Sequence, residues 1–108
     1  MELKDKYYSI GEVADILGVS RSKVRYWEEQ FSAFVRPRRN RRGDRMFTVR
    51  DIEALRLIQH LVNDLHFTLE GAKQYMRHHK KDLEAKLEVI EKLKRVKREL
   101  EELKDSID

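Results

Sequence analysis

The sequence contains no cysteine. That excludes disulfides, cysteine-based zinc sites and thiol redox sensing. No apolar run approaches the roughly 20 residues needed to span a membrane. The opening stretch from Met1 to Tyr8 is polar and lacks the apolar core of a secretion signal. These absences predict a soluble, cytoplasmic protein with no membrane partner. Core-forming residues are also limited: 108 residues carry 40% hydrophobic and 41% charged side chains. That balance suits one small head with a long solvated helix, and it excludes an enzyme with a deep pocket. No nucleophile–base signature, glycine-rich phosphate loop or carboxylate pair suggests catalysis. His60 and His66 share no helical face, and adjacent His78 and His79 diverge by about 100°. With no companion ligands nearby, neither a metal nor a cofactor is expected. There is no internal repeat and no low-complexity linker.

What the chain does have is concentrated positive charge. The formal net charge is +4 overall, yet residues 20–50 alone carry +7, leaving −3 for the remainder. The basic residues there are Arg21, Lys23, Arg25, Arg36, Arg38, Arg39, Arg41, Arg42, Arg45 and Arg50, against Glu28, Glu29 and Asp44. A focused, arginine-rich segment is the electrostatic footprint of a polyanion-binding face.

The elements can be placed from their boundary signals. Ser9 with Glu12 forms a capping box, and Tyr8 with Val13 the matching hydrophobic staple. A helix of about two turns follows, closed by Gly18, which adopts the left-handed C-terminal geometry cheaply. Ser20 caps the next helix. Its apolar face is Val24, Trp27 and Phe31; its opposite face carries Ser22, Arg25, Tyr26 and Glu29, flanked by Arg21 and Lys23. Ala14, Gly18 and Val24 provide the close helix crossing, the turn and the apolar tie of a helix-turn-helix. The alternative is a plain helical hairpin whose Arg25 and Tyr26 are merely solvated.

From Phe34 to Thr48 the helical pattern stops. Phe34-Val35 and Met46-Phe47 bracket an arginine-rich stretch with Asn40 and Gly43-Asp44, which predicts a two-stranded hairpin. Pro37 restricts its strand to an edge. Arg36, Arg38, Arg39, Arg41, Arg42 and Arg45 crowd ten positions with only Asp44 to offset them. Such a cluster repels itself unless an anion is present, and the planar guanidinium suits phosphate and guanine. The alternative is a charge run serving solubility alone.

Thr48 and Asp51 give a second capping pattern, with Phe47 and Ile52 as its staple. The stripe Ile52, Leu55, Ile58, Leu61, Val62 and Leu65 predicts the core spine. Thr68 then caps a short helix whose inner side is Leu69, Ala72, Tyr75 and Met76. Beyond about Asp82, apolar residues fall at Leu83, Leu87, Ile90, Leu93, Val96, Leu100, Leu103 and Ile107. This is a heptad seam with one three-residue stammer near Leu93. Arg77 to Asp108 holds ten basic and nine acidic groups, so the helix is nearly neutral. That favours a protein partner over a DNA clamp; a helix folded back on its own head is the alternative.

Residues Ser9 to about Met76 resemble the DNA-binding head of the MerR family of bacterial regulators. The run from Ser9 to Phe31 is similar to the family's opening helix-turn-helix. Arg25-Tyr26-Trp27-Glu28 resembles its usual Arg-Tyr-Tyr-Glu, with Trp27 in place of the second Tyr. Residues 35–48 are similar to the wing, with Pro37, Gly43, Arg45 and Phe47 at the expected places. Residues 49–76 resemble the helix pair that follows. The resemblance implies a mainly α fold: a winged helix-turn-helix with a two-stranded β-hairpin wing over residues 1–80, and a coiled-coil dimerisation helix over 81–108. It implies a homodimeric, nucleoid-associated transcription regulator that binds double-stranded DNA sequence-specifically, with RNA polymerase as a further partner at promoters. Arg21, Ser22, Lys23, Arg25 and Tyr26 would face the major groove. Arg38, Arg39, Arg41, Arg42 and Arg45 would grip phosphates or the adjoining minor groove. Leu83, Leu87, Ile90, Leu93, Val96, Leu100 and Leu103 would join two copies, antiparallel in this family.

Three departures accompany the resemblance. No effector-binding segment is expected up to Asp108. The cysteines of the metal-sensing branch are missing. His66 stands where the family often has Gly, so it is expected to tolerate positive φ. Two rival readings use the same residues. One is an architectural, chromosome-organising protein with weak sequence preference; the other is an adaptor whose coiled coil binds a different chain.

Overall fold

The computed structural model describes the backbone of residues 3–107 and their side chains, apart from those of residues 83, 84, 87 and 107. Five α-helices and one two-stranded sheet follow in the order α1 (Ile10–Leu17), α2 (Arg21–Gln30), β1 (Arg38–Arg39), β2 (Arg45–Met46), α3 (Val49–Gln59), α4 (Leu69–His78) and α5 (Lys80–Ile107). A π-helical turn, His60–Asp64, extends α3. The fold is mainly α and is that of a winged helix-turn-helix, as expected. The chain divides into two compact units, Met1–Gln74 and Tyr75–Asp108.

The helix ends behave as their sequences dictate. Ser9 Oγ accepts from the Glu12 N–H while Glu12 Oε1 accepts from the Ser9 N–H, each at 3.1 Å. Gly18 takes φ +69°; its N–H reaches Asp15 O at 3.3 Å, and the Val19 N–H reaches Ala14 O at 3.0 Å. This is a Schellman motif, which satisfies the last carbonyls of α1 and turns the chain directly into α2. Ser20 caps α2 through the Lys23 N–H, Thr48 caps α3 through the Asp51 N–H, and Thr68 accepts from the Gly71 N–H at the start of α4.

The head core gathers Trp27, Phe31, Val35, Phe47, Ile52, Leu55, Ile58 and Leu61, all at most 2% exposed. The Gln59 side chain donates to Leu17 O at 2.9 Å, tying α3 to the end of α1. Asp51 is the one buried carboxylate among the described residues. It accepts from the Thr48 N–H and hydroxyl, and from the Arg36 N–H at 3.0 Å. It therefore pins the segment entering the hairpin onto the first turn of α3.

Three details depart from the pattern read in the sequence. First, Phe34-Val35 is not part of the hairpin. Both N–H groups bond to Phe31 O, so the chain winds past the end of α2 and buries Val35 as a core plug. The strands instead pair Arg38 with Met46 and Arg39 with Arg45. Pro37 precedes the ladder, where its missing N–H removes no rung. Phe47 pairs with Tyr8, each N–H bonding the other's carbonyl at 2.8 Å, so the N-terminal segment flanks β2. Second, Leu65 is 52% exposed. The π-turn takes one more residue to complete its turn after Gln59 and so swings Leu65 off the stripe. His66 then takes φ +56°, the left-handed geometry anticipated at that position. Third, Ala72 and Met76 are buried, but Tyr75 is exposed and stacks on His79 at 4.1 Å.

Candidate nucleic-acid interface

The outward side of α2 carries the polar residues singled out in the sequence. Arg21, Ser22, Lys23, Arg25 and Tyr26 are all exposed, while Val24 and Trp27 between them are fully buried. That contrast fixes the helix in rotation: the apolar seam can face only the core, so the polar residues can face only solvent. Lys23 Nζ stands 5.6 Å from the Tyr26 ring and 5.3 Å from the Trp27 ring. These cation–π distances hold its charge along the helix surface.

The wing supplies the second set. Asn40 shapes its turn: Oδ1 accepts from the Arg42 and Asp44 N–H groups, each at 2.9 Å, and Gly43 adopts φ +85°. An Asx turn of this kind needs the short amide of Asn and the freedom of Gly. Arg38 and Arg41 are exposed and make no side-chain bond among the described residues. Arg39 donates to Gly43 O at 2.8 Å, and Arg42 lies 3.7 Å from Asp44 in a solvated pair. The latter contributes little, as exposed pairs do.

Tertiary structure joins the two sets. Arg21 and Arg25 of α2 and Arg42 and Arg45 of the wing line one open groove of about 570 Å³, together with Tyr7 and Gly11. Arg25 and Arg45 also border a second depression beside Glu28 and Arg36. The helix face and hairpin are thus not independent charge runs. Arg45 differs from the other wing arginines: it is half-buried and its Nε forms an ion pair with Glu28 of α2. Partial burial makes that pair worth more than the solvated ones, and it fixes the hairpin to α2. The groove so formed presents guanidiniums from two elements toward one space, which can bind phosphate oxygens and base edges together.

The places of three residues in this site were not legible in the sequence. Tyr7, half-exposed, looked like part of a polar leader; only its neighbour's pairing with Phe47 brings it to the groove. Glu28 stands in the Arg-Tyr-Trp-Glu run, but its pairing with Arg45, 17 residues away, carried no local signal. Gly11 read as an ordinary helix position. Along α5, Ile90, Leu93, Val96, Leu100 and Leu103 are all exposed, and Val89 joins them. The side chains of Leu83 and Leu87 lie outside the described residues.

Among the described residues, no three His, Asp or Glu side chains are arranged to hold a metal ion. No helix among them is long and apolar enough to cross a membrane.

A family model described as MerR HTH family regulatory protein matches residues 8–79. Among solved structures, the fold is similar to that of HiNmlR, a MerR family regulator lacking the sensor domain, seen bound to promoter DNA. The TM-score is 0.56 at 24% identity, over 94% of this chain and 82% of that one. It is also similar to a MerR family transcriptional regulator from Bacillus thuringiensis, with a TM-score of 0.53 at 24% identity, over 94% and 96% of the two chains. No curated protein sequence matches the chain. The family match spans both the helix-turn-helix and the wing and covers well over half of the sequence, and the chain belongs to the MerR HTH family of regulatory proteins.

Proposed function

We propose that this protein binds double-stranded DNA sequence-specifically as a homodimer and regulates transcription at promoters, with RNA polymerase as a partner there. The observation that carries the reading is the shared groove, in which α2 and the wing present Arg21, Arg25, Arg42 and Arg45 to one space. In this reading α2 enters the major groove. Arg25 and Tyr26, flanked by Arg21, Ser22 and Lys23, meet base edges and set sequence preference. Arg38, Arg39, Arg41 and Arg42 reach phosphates, which supply position and most of the affinity. Arg45, held by Glu28, sets the angle of the wing and adds its charge to the groove. The DNA-bound state of the structural neighbour HiNmlR supports the use of this fold on a duplex.

The homodimer rests on α5. Its exposed seam runs Ile90, Leu93, Val96, Leu100, Leu103, and no apolar surface of that length is expected to stay open to water. Charge favours an antiparallel mate. Residues 80–98 carry a net +4 and residues 99–108 a net −4. Antiparallel copies lay the acidic end of each helix beside the basic part of the other, whereas parallel copies oppose like charges. Two heads on such a dimer call for a pseudo-palindromic site.

The test is selection of genomic fragments by the purified protein, followed by sequencing. A few fragments sharing a two-fold symmetric motif upstream of genes are expected. Uniform recovery of the genome would replace the regulator with an architectural protein, and recovery of nothing in dilute buffer would end the DNA reading.

A further inference from the structure

Two of the described glycines, Gly18 and Gly43, have positive φ and need no further explanation. Gly11 does not: it lies in the first turn of α1 with ordinary helical φ. Glycine there weakens the helix relative to alanine. Its surroundings give a reason for its presence. A β-carbon on Gly11 would lie 2.7 Å from Arg21 Nη2, 3.2 Å from Cζ and 3.4 Å from Nε. The Arg21 guanidinium therefore lies across the bare α-carbon of Gly11. Arg21 opens α2, and both residues line the groove that also holds Arg25 and Arg42. Among the described residues no carboxylate pairs with Arg21, so packing on Gly11, not an ion pair, is what places it.

We propose that Gly11 is a positioning residue for DNA binding: by lacking a side chain it seats the Arg21 guanidinium against α1, at the wall of the groove. The proposal deepens the DNA-binding reading and rests on it for its functional consequence. A methyl group at position 11 cannot share the space with Nη2. The flexible Arg21 side chain swings away, and its charge leaves the groove wall. Helix α1 itself gains, because alanine is the better helix former. Stability and binding must therefore move in opposite directions, which no purely structural glycine would produce.

The experiment compares full-length wild type, Gly11→Ala, Arg21→Ala and the double variant. Thermal unfolding should show Gly11→Ala melting at or above wild type. In the free protein, the Arg21 Nε–Hε resonance should shift on Gly11→Ala. On a mixed-sequence duplex oligonucleotide in low salt, and then on any selected site, Gly11→Ala should bind about tenfold more weakly, close to the loss from Arg21→Ala. Adding Gly11→Ala to Arg21→Ala should cost nothing more. An unmoved Arg21 resonance would overturn the seating. A full further loss in the Arg21→Ala background would show that the methyl meets the duplex directly, and would overturn it too. A lowered melting temperature would make Gly11 a backbone requirement instead. If wild type ignores duplex DNA, the proposed function falls, while the resonance of the free protein still decides the seating.

Discussion

Along α3 and the π-turn that extends it, Ile52, Leu55, Ile58 and Leu61 recur every three residues and are 0–2% exposed; in α5, Ile90, Leu93, Val96, Leu100 and Leu103 carry nearly the same spacing and are 45–64% exposed. Apolar periodicity defines a face, but not what covers it. The head unit supplies its own cover, because α2, the segment past it and the π-turn bring Trp27, Phe31, Val35 and Leu61 into the same core. Helix α5 has 28 residues and, at about 1.5 Å per residue, is about 42 Å long. No element of its own unit is long enough to match it. The head's core is an intramolecular solution; the seam of α5 is left exposed, and the proposed homodimer would be its cover.

The sharpest way to break this contrast is to attack each face in turn. Trp27→Ala empties the largest fully buried site in the head and should cost about 3–5 kcal/mol, read by urea unfolding. A loss below about 1 kcal/mol would mean the head core is not as closed as described. Leu100→Lys should instead leave the head folded and yield single chains of 13.1 kDa in sedimentation. A surviving dimer would show that the seam of α5 is not what joins two copies.

Smaller effects sharpen the picture within the head. Asp51→Ala removes the acceptor for Thr48 and for the Arg36 N–H, and about 1–3 kcal/mol of stability should go with it. If it unfolds at the wild-type denaturant midpoint, the buried carboxylate is not holding the hairpin segment. Arg41→Ala should leave stability unchanged, within about 0.5 kcal/mol. It should nonetheless reduce the dependence of log K on log salt by about one unit. An unaltered slope would leave Arg41 outside the interface.

The least effect is expected at the start of α1. The Ser9 N–H and then the Lys6 ammonium hold the Glu12 carboxyl below its ordinary 4.5, and Glu12 in turn raises Lys6. A carboxylate depressed on folding stabilises above its unfolded value, and that contribution fades as pH falls through the folded value. Wild type should thus lose more stability than Glu12→Gln between neutral pH and the region below pH 4.5. Identical pH profiles would dismiss the capping carboxylate as a contributor.

Much of the head was readable because its signals are local. A cap needs one side chain within three residues of its amide, and Ser9, Ser20, Thr48 and Thr68 all meet that condition. The hairpin was less readable. Phe34 and Val35 look like strand residues, and only the pull of the core past Phe31 winds them into turns. The interface was readable in part: rotation of α2 follows from Val24 and Trp27, so its exposed arginines follow as well. The brace between Glu28 and Arg45, the placing of Tyr7 by the Tyr8–Phe47 bridge, and the seating of Arg21 on Gly11 join residues distant in sequence. No spacing rule reaches them.

Local sequence is enough to set where each helix starts, which way α2 faces, and that positive charge gathers between residues 20 and 50. Those are consequences of short-range bonding, helical period and covalent order. That the helix and wing arginines border one groove, and which apolar faces the head can cover, follow only from the folded chain. Both depend on how separate elements approach in space, which is set by the packing of the whole core.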